Sequence, residues 1–488
     1  MKSQGKTDFI SRDIAGLLGF RGSGSRLTTI AKLLTVVCLG MGTQGMRATA
    51  SGAPAGDSAE KSCGPPNYCA RTDRRVEPYP KTPPALGAAG SVITDPNFGS
   101  RIVRATDART DPSGRSFHTP ASSEQNSWNK DSTKFYVGMT GGNTVLFDFS
   151  PTTLAVRQVE VLNLGWKGEP QFSYAQPNLL YGTTDKPAEF QQYDVVTRKT
   201  TKVHDVSSCV KLDAADHAYD ISVNADDSRF MAVIGPQQDK NYLVYLYDRD
   251  KGCRWYNTQT GEVGGQWGPK GTVSAPYRFG IHNARISKRG DFVVIGGGSN
   301  GPRGPVVWEV GSLNASQCSI SPPDSCGGHH AIGYDHMVNP SGRSDPLDIL
   351  IRPLNKLGST SPLVPQLPPA AAWMDKHFSW NNADPQDSAP VCFSAYRRDG
   401  PKTVGTPLPV ERPWDNEILC VQVDGRGSNL WRIAHTFSTA TNGFWSTPRG
   451  NISPDGRFYM FTSDWEDELG TDPKTKGYRT DVFIVELR

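Results

Sequence analysis

Seven segments of this chain share one pattern: a polar or aromatic run, a tight turn, then a short apolar strand. The clearest reads NISPDGRFYMFTSD, from Asn451 to Asp464. Three more are DISVNADDSRFMAVIG (Asp220 to Gly235), ARISKRGDFVVIGG (Ala284 to Gly297) and SWNKDSTKFYVG (Ser127 to Gly138). Weaker copies run from Ser173 to Gly182, Ile332 to Gly342 and Phe378 to Tyr396. Their turns open at Asn129, Ala175, Asn224, Ser287, Asp335, Asn381 and Ser453, separated by 46, 49, 63, 48, 46 and 72 residues. In Ser453-Pro454-Asp455-Gly456, proline presets the backbone and glycine admits positive φ. Phe458, Met460 and Phe461 then read as a buried strand.

A unit of ~40–50 residues made of strands and turns cannot bury its apolar faces alone and closes with its neighbours into a ring. The expected fold class is all-β: a seven-bladed β-propeller of four-stranded antiparallel blades over residues 91–488. Runs such as TVLFDFS (Thr144 to Ser150), YLVYLYDRD (Tyr242 to Asp250), DVFIVELR (Asp481 to Arg488) and NLWRIAH (Asn429 to His435) supply the remaining strands. The two long gaps hold insertions, Gly252–Gly271 and Arg397–Arg412, and Pro353–Pro369 reads as a loop between blades five and six. The turn pattern resembles the Ser-Pro-Asp-Gly strand motif of TolB-type (WD-repeat-like) propellers over about residues 90–488. That resemblance implies a fold rather than a function, since such propellers include binding platforms, peptidase lids and lyases.

The first 50 residues do not read as fold. Lys2, Lys6, Arg12, Arg21 and Arg26 precede an apolar run from Leu27 to Met41, and Ala48-Thr49-Ala50 offers an A-x-A cleavage site. The reading is a signal peptide over 1–50, then a Pro/Gly/Ala-rich flexible linker over 51–90 with a small disulfide loop. The apolar run is too short to span a bilayer. The first 50 residues carry seven Lys/Arg and two Asp/Glu, so without them the net charge falls from +3 to −2 and gives no support to a nucleic-acid partner. Cys38 lies within the signal; the eight remaining cysteines suggest neighbour pairs, Cys63 with Cys69, Cys209 with Cys253, Cys318 with Cys326 and Cys392 with Cys420. Their spacing does not suit zinc. An export signal with an even cysteine count points to a secreted or periplasmic protein.

In a propeller the innermost strands line a central channel, and residues just before each turn face it. Four residues before the turn-opening positions stand Gln125, Gln171, Asp220, Asn283, Ala331, His377 and Arg449, six of them polar or charged. Three consecutive units bring histidines there: FGIHNAR (Phe279 to Arg285), GGHHAIGYD (Gly327 to Asp335) and DKHFSWN (Asp375 to Asn381). His282, His329, His330 and His377 are candidate ligands for a divalent metal, Mn, Zn or Ca. Gln171, Asp220, Asn283, Trp380 and Trp445 are candidate ligand-binding residues, the flat aromatics suiting sugar stacking. Arg449 and Arg285 can fork onto a carboxylate, and His377 can carry a proton; these three are the candidate catalytic groups. GGGSNGPRG (Gly296 to Gly304) fits G-x-G-x-x-G and G-x-S-x-G formally, but an apolar strand follows where both motifs need a helix.

Polar pre-turn residues with histidines from successive blades also resemble oligogalacturonate lyases. Those are seven-bladed propellers whose central histidines and a glutamine hold manganese, which neutralises a uronate carboxylate while a base removes the neighbouring proton. The resemblance implies His282, His329 or His330, His377 and Gln171 as ligands, with Arg449 or Arg285 near the substrate. Two functions therefore stand: a non-catalytic propeller that binds carbohydrate, another small ligand or a protein at one face, and a metal-assisted polyuronate lyase.

Overall fold

The computed structural model describes residues 63–488 apart from 79, 81, 275–277, 299–300, 303, 320–325, 327, 341–348, 365–374, 397–412, 424–428 and 441. The proposed signal over 1–50 and the insertion Arg397–Arg412 lie outside the described residues. Seven antiparallel sheets follow one another around a ring. Blade one spans 117–162, blade two 166–205, blade three 217–272, blade four 281–317, blade five 331–364 and blade six 375–435. Blade seven takes its first three strands from the C-terminus (Gly450–Ile452, Phe458–Ser463, Asp481–Glu486). Its outer two come from the N-terminal side, Arg101–Arg104 paired to Phe483–Val485, then Val92–Thr94. Helical structure among the described residues is limited to two 3₁₀ turns, Val206–Ser208 and Phe444–Ser446. None of these helices is long and apolar enough to cross a membrane.

All seven turn-opening residues lie between the innermost and second strands of their blades. In the four clearest copies the opener's side chain accepts from the backbone N–H five residues on: Asn129 from Lys134 (2.8 Å), Asn224 from Arg229 (2.8 Å), Ser287 from Phe292 (3.2 Å) and Ser453 from Phe458 (3.0 Å). This is why Asn or Ser opens the turn. Three residues after each opener the backbone turns to positive φ, at Ser132, Asp227, Gly290 and Gly456.

The core is divided among the blade interfaces. Each adjacent pair of blades encloses an apolar cluster, from Tyr136, Leu146 and Phe172 between blades one and two to Val103, Phe135 and Phe458 between seven and one. Neighbouring residues of one strand serve opposite clusters. Phe230 packs toward blade two and Met231 toward blade four; Phe458 packs toward blade one and Tyr459 toward blade six. A strand buried on both faces reads as an unbroken apolar run, which is how FMAVIG and FYMF look in the sequence.

Blade three holds six strands, because Glu262–Gly265 and Gly271–Thr272 extend its outer edge. Buried Arg254 ties this extension down by donating to the carbonyls of Trp267, Pro269, Val310 and Ser312. Part of the Pro353–Pro369 segment, read as a loop, is instead the fourth strand of blade five, Ser361–Val364. Pro362 is tolerated there because the strand lies at the edge of its sheet. The four disulfides are Cys63–Cys69, Cys209–Cys253, Cys318–Cys326 and Cys392–Cys420. Residues after Cys63 lie against blades six and seven. Tyr68 is buried edge-on to Trp431, its hydroxyl donates to the Gly456 carbonyl (2.7 Å), and Asp73 pairs with buried Arg432 at 2.8 Å.

Candidate functional site: a histidine cavity at the channel

Five of the seven pre-turn positions lie on the innermost strands, and Gln125 and Arg449 lie outside them, but the side chains do different work. Gln171 exchanges two hydrogen bonds with the backbone of Val223, donating at 2.9 Å and accepting at 3.0 Å, and so joins blade two to blade three. Gln125 donates to the Pro170 carbonyl at 2.6 Å. Trp380 is buried in the cluster between blades five and six and donates to Ala389 O. Arg449 is fully buried, stacked beneath Phe444 with its guanidinium carbon 3.7 Å from the ring centre. Asp220, at φ 53° beside a register shift, is half-buried with its carboxylate 4.0 Å from Arg285.

The channel interior concentrates charge. Burial pushes the carboxyls of Glu124 and Glu169 up to about 7 and that of Asp220 upward. Burial also lowers Lys288 to about 8, and its ammonium donates to the carbonyls of Ile332 and Trp380. A cavity of about 20 Å³, room for about one water, lies among Glu124, Tyr174, Arg285 and Lys288.

A larger cavity of about 210 Å³ is lined by His282, Asn283, His329, His330, His377 and Glu124. His329 and His377 stack, ring centres 3.7 Å apart. Asp375 and His377 alternate on the innermost strand of blade six (Asp375–Ser379), so both point to one face. The donor atoms of His329, Asp375 and His377 all lie within 4.8 Å of one another. The other two histidines are engaged elsewhere: His330 Nε2 stands 3.2 Å from Glu124, and His282 Nδ1 stands 2.8 Å from Asp239 on the exposed side. His282 lines the cavity from a strand that shifts register between Ile281 and Asn283.

Sequence reasoning missed Asp375, Glu124, Lys288 and Asp239. Strand alternation from His377 would have found Asp375, two residues earlier. Nothing local marks Glu124, which meets His330 from across the ring.

Two imidazoles and a carboxylate form a mixed N,O donor set suited to first-row divalent ions. Bonds of ~2.0–2.2 Å to a shared ion need donors about this close. The residues present therefore fit a divalent metal, through two imidazoles and the Asp375 carboxylate.

Among solved structures, an oligogalacturonate lyase in complex with manganese matches with a TM-score of 0.51 and 12% identity, over 84% of this chain and 99% of that one. An oligogalacturonate lyase from Vibrio parahaemolyticus also matches at 0.51 and 12%, over 81% of this chain and 96% of that one. At such identity the likeness shows the fold alone. No family model and no curated protein matches the chain.

Proposed function

We propose that this propeller binds a divalent cation through His329, Asp375 and His377 and takes a carboxylated sugar into the adjoining cavity. The observation that carries the reading is the three donor atoms within 4.8 Å, two of whose residues, His329 and His377, line a cavity of about 210 Å³. When bound, the cation supplies positive charge to the sugar carboxylate. Asp375 and His377 hold their donors in register because both stand on one strand face. The four disulfides, with the export signal read in the sequence, fit a secreted or periplasmic protein.

A second reading, elimination from a polyuronate, is favoured by the Glu124–His330 pair. These two groups meet at 3.2 Å and open on the same cavity. A carboxylate and an imidazole there can accept and pass the proton next to the uronate carboxylate. The likeness to oligogalacturonate lyases supports this reading at the level of the fold.

The test is calorimetric titration of chelator-treated protein with Mn²⁺, Zn²⁺ and Ca²⁺. One cation should bind per chain, and His377→Ala and Asp375→Asn should each weaken binding at least about tenfold. Undiminished affinity in both variants sinks the metal assignment. Incubation with polygalacturonate then separates the readings: ultraviolet absorbance from an unsaturated product marks a lyase, and binding without it marks a lectin-like role.

A further inference from the structure

Phe444 and Trp445 stand apart from every other aromatic pair among the described residues. They are 50% and 40% exposed and adjacent, with ring centres 4.9 Å apart. The other strongly exposed large apolar side chains among the described residues occur singly along the chain, which is ordinary for a protein surface. Each of the two rings is pinned on one face by a buried group. Arg449 lies 3.7 Å under Phe444, and His118 stacks on Trp445 at 3.6 Å. Arg449 also stands 4.8 Å from the Trp445 ring centre, and the remainder of each ring is open to solvent.

The turn that carries them is held from within. Thr447 Oγ1 donates to Phe444 O (2.7 Å), Ser446 Oγ donates to Gly443 O (3.0 Å), and Ser438 Oγ donates to Ser446 O. Asp464 anchors the start of the same loop by accepting from Thr439 N at 2.9 Å and from Asn442 Nδ2 at 2.8 Å. The two rings stand at 77° to each other, so on this fixed turn they present two apolar faces set as a corner, at little ordering cost. Their place relative to the histidine cavity follows from the chain. Arg449 donates to Ala121 O (3.3 Å), and Gly450 N donates to Ser123 Oγ (3.2 Å). Ser122 and Ser123 are themselves part of the cavity wall. The aromatic pair and the histidines therefore border the same short segment.

We propose that Phe444 and Trp445 form an outer subsite, a stacking platform for a second or third sugar ring of an oligosaccharide whose carboxylated end enters the histidine cavity. Pyranose rings present C–H faces that pack on exposed indole and phenyl faces, and the pair is joined through Arg449 and Gly450 to the 121–123 segment that borders the cavity. This rests on the anionic-sugar reading of the cavity and assigns to it a preference for chains over single sugars.

Calorimetry on protein supplied with manganese, using galacturonic acid and its di- and trisaccharide, tests the proposal. Wild-type affinity should rise at least about tenfold from one ring to three. Trp445→Ala and the double variant Phe444→Ala/Trp445→Ala should cut that gain at least about fivefold, and Trp445→Phe should keep most of it. Circular dichroism melts check that the variants fold. A variant that keeps the full gain with chain length, or a wild type that binds one ring as well as three, overturns the subsite and leaves the cavity reading standing. A wild type that takes manganese and binds no uronate of any length overturns both.

Discussion

Asp387 does for blade five what a turn-opening Asn or Ser does for its neighbours. It sits on the loop of blade six and is 3% exposed. Its carboxylate accepts from the backbone N–H groups of Tyr334 (2.7 Å), Asp335 (2.8 Å) and His336 (3.1 Å), and from His336 Nδ1 (3.1 Å). The local opener, Asp335, points outward to Arg289 instead. Burial pushes the Asp387 carboxyl up, but His336 and the backbone N–H groups outweigh it and hold it below the usual carboxylate range. Asp387 in turn holds His336 above its ordinary value. Asp387→Ala should cost roughly 2–4 kcal/mol, read from the urea midpoint, because three part-buried N–H groups and the His336 ring lose their acceptor. The lowered Asp387 stabilises above the unfolded value near ~3.9, and its contribution is lost as pH falls through the folded one. The raised His336 stabilises below ~6.5 and loses its contribution as pH rises through its folded value. The gap between wild type and variant should therefore be widest between about pH 4 and 6.5, and a gap that grows toward pH 9 would contradict the pairing.

At the scale of the element, strands and turns were legible because their chemistry is local. The i to i+5 hydrogen bond needs Ser or Asn, and the positive φ three residues on favours Gly, Asp or Ser. Residues chosen for contacts with a neighbouring strand carry no such mark. Gly450 opens the innermost strand of blade seven at a place where a Cβ would sit 2.3 Å from the Tyr459 ring and 2.5 Å from Met460 O. Gly450→Ala should destabilise by about 1–3 kcal/mol, since the Met460 carbonyl belongs to the paired strand and cannot swing away. An unchanged urea midpoint would show that the blade relaxes freely. Pro362 misled for the opposite reason. Proline forbids a central strand, and the sequence does not say that this strand is an edge.

At the scale of the whole molecule, the ring closes through strands from both ends of the propeller. Ile102 packs into the interface of blades six and seven, and Val103 into that of seven and one. Both are fully buried and pair with Val485 and Ile484. The double variant Ile102→Ala/Val103→Ala should lose at least about 3 kcal/mol and become protease-sensitive. A loss under about 1 kcal/mol would mean that closure does not depend on this strand.

Period, turn chemistry and two-sided apolar runs sit within a few residues of one another, so the sequence by itself determined seven blades and their order, and it suggested the neighbouring cysteine pairs that the structure forms. It also placed histidines from three consecutive units near the channel. Which of them share donors was decided only in three dimensions. His282 meets Asp239 from a strand that shifts register, Glu124 reaches across to His330, and strand alternation sets Asp375 beside His377. Blades meet at the axis at distances that sequence spacing does not encode, and a side chain's partner there depends on where the ring brings each strand.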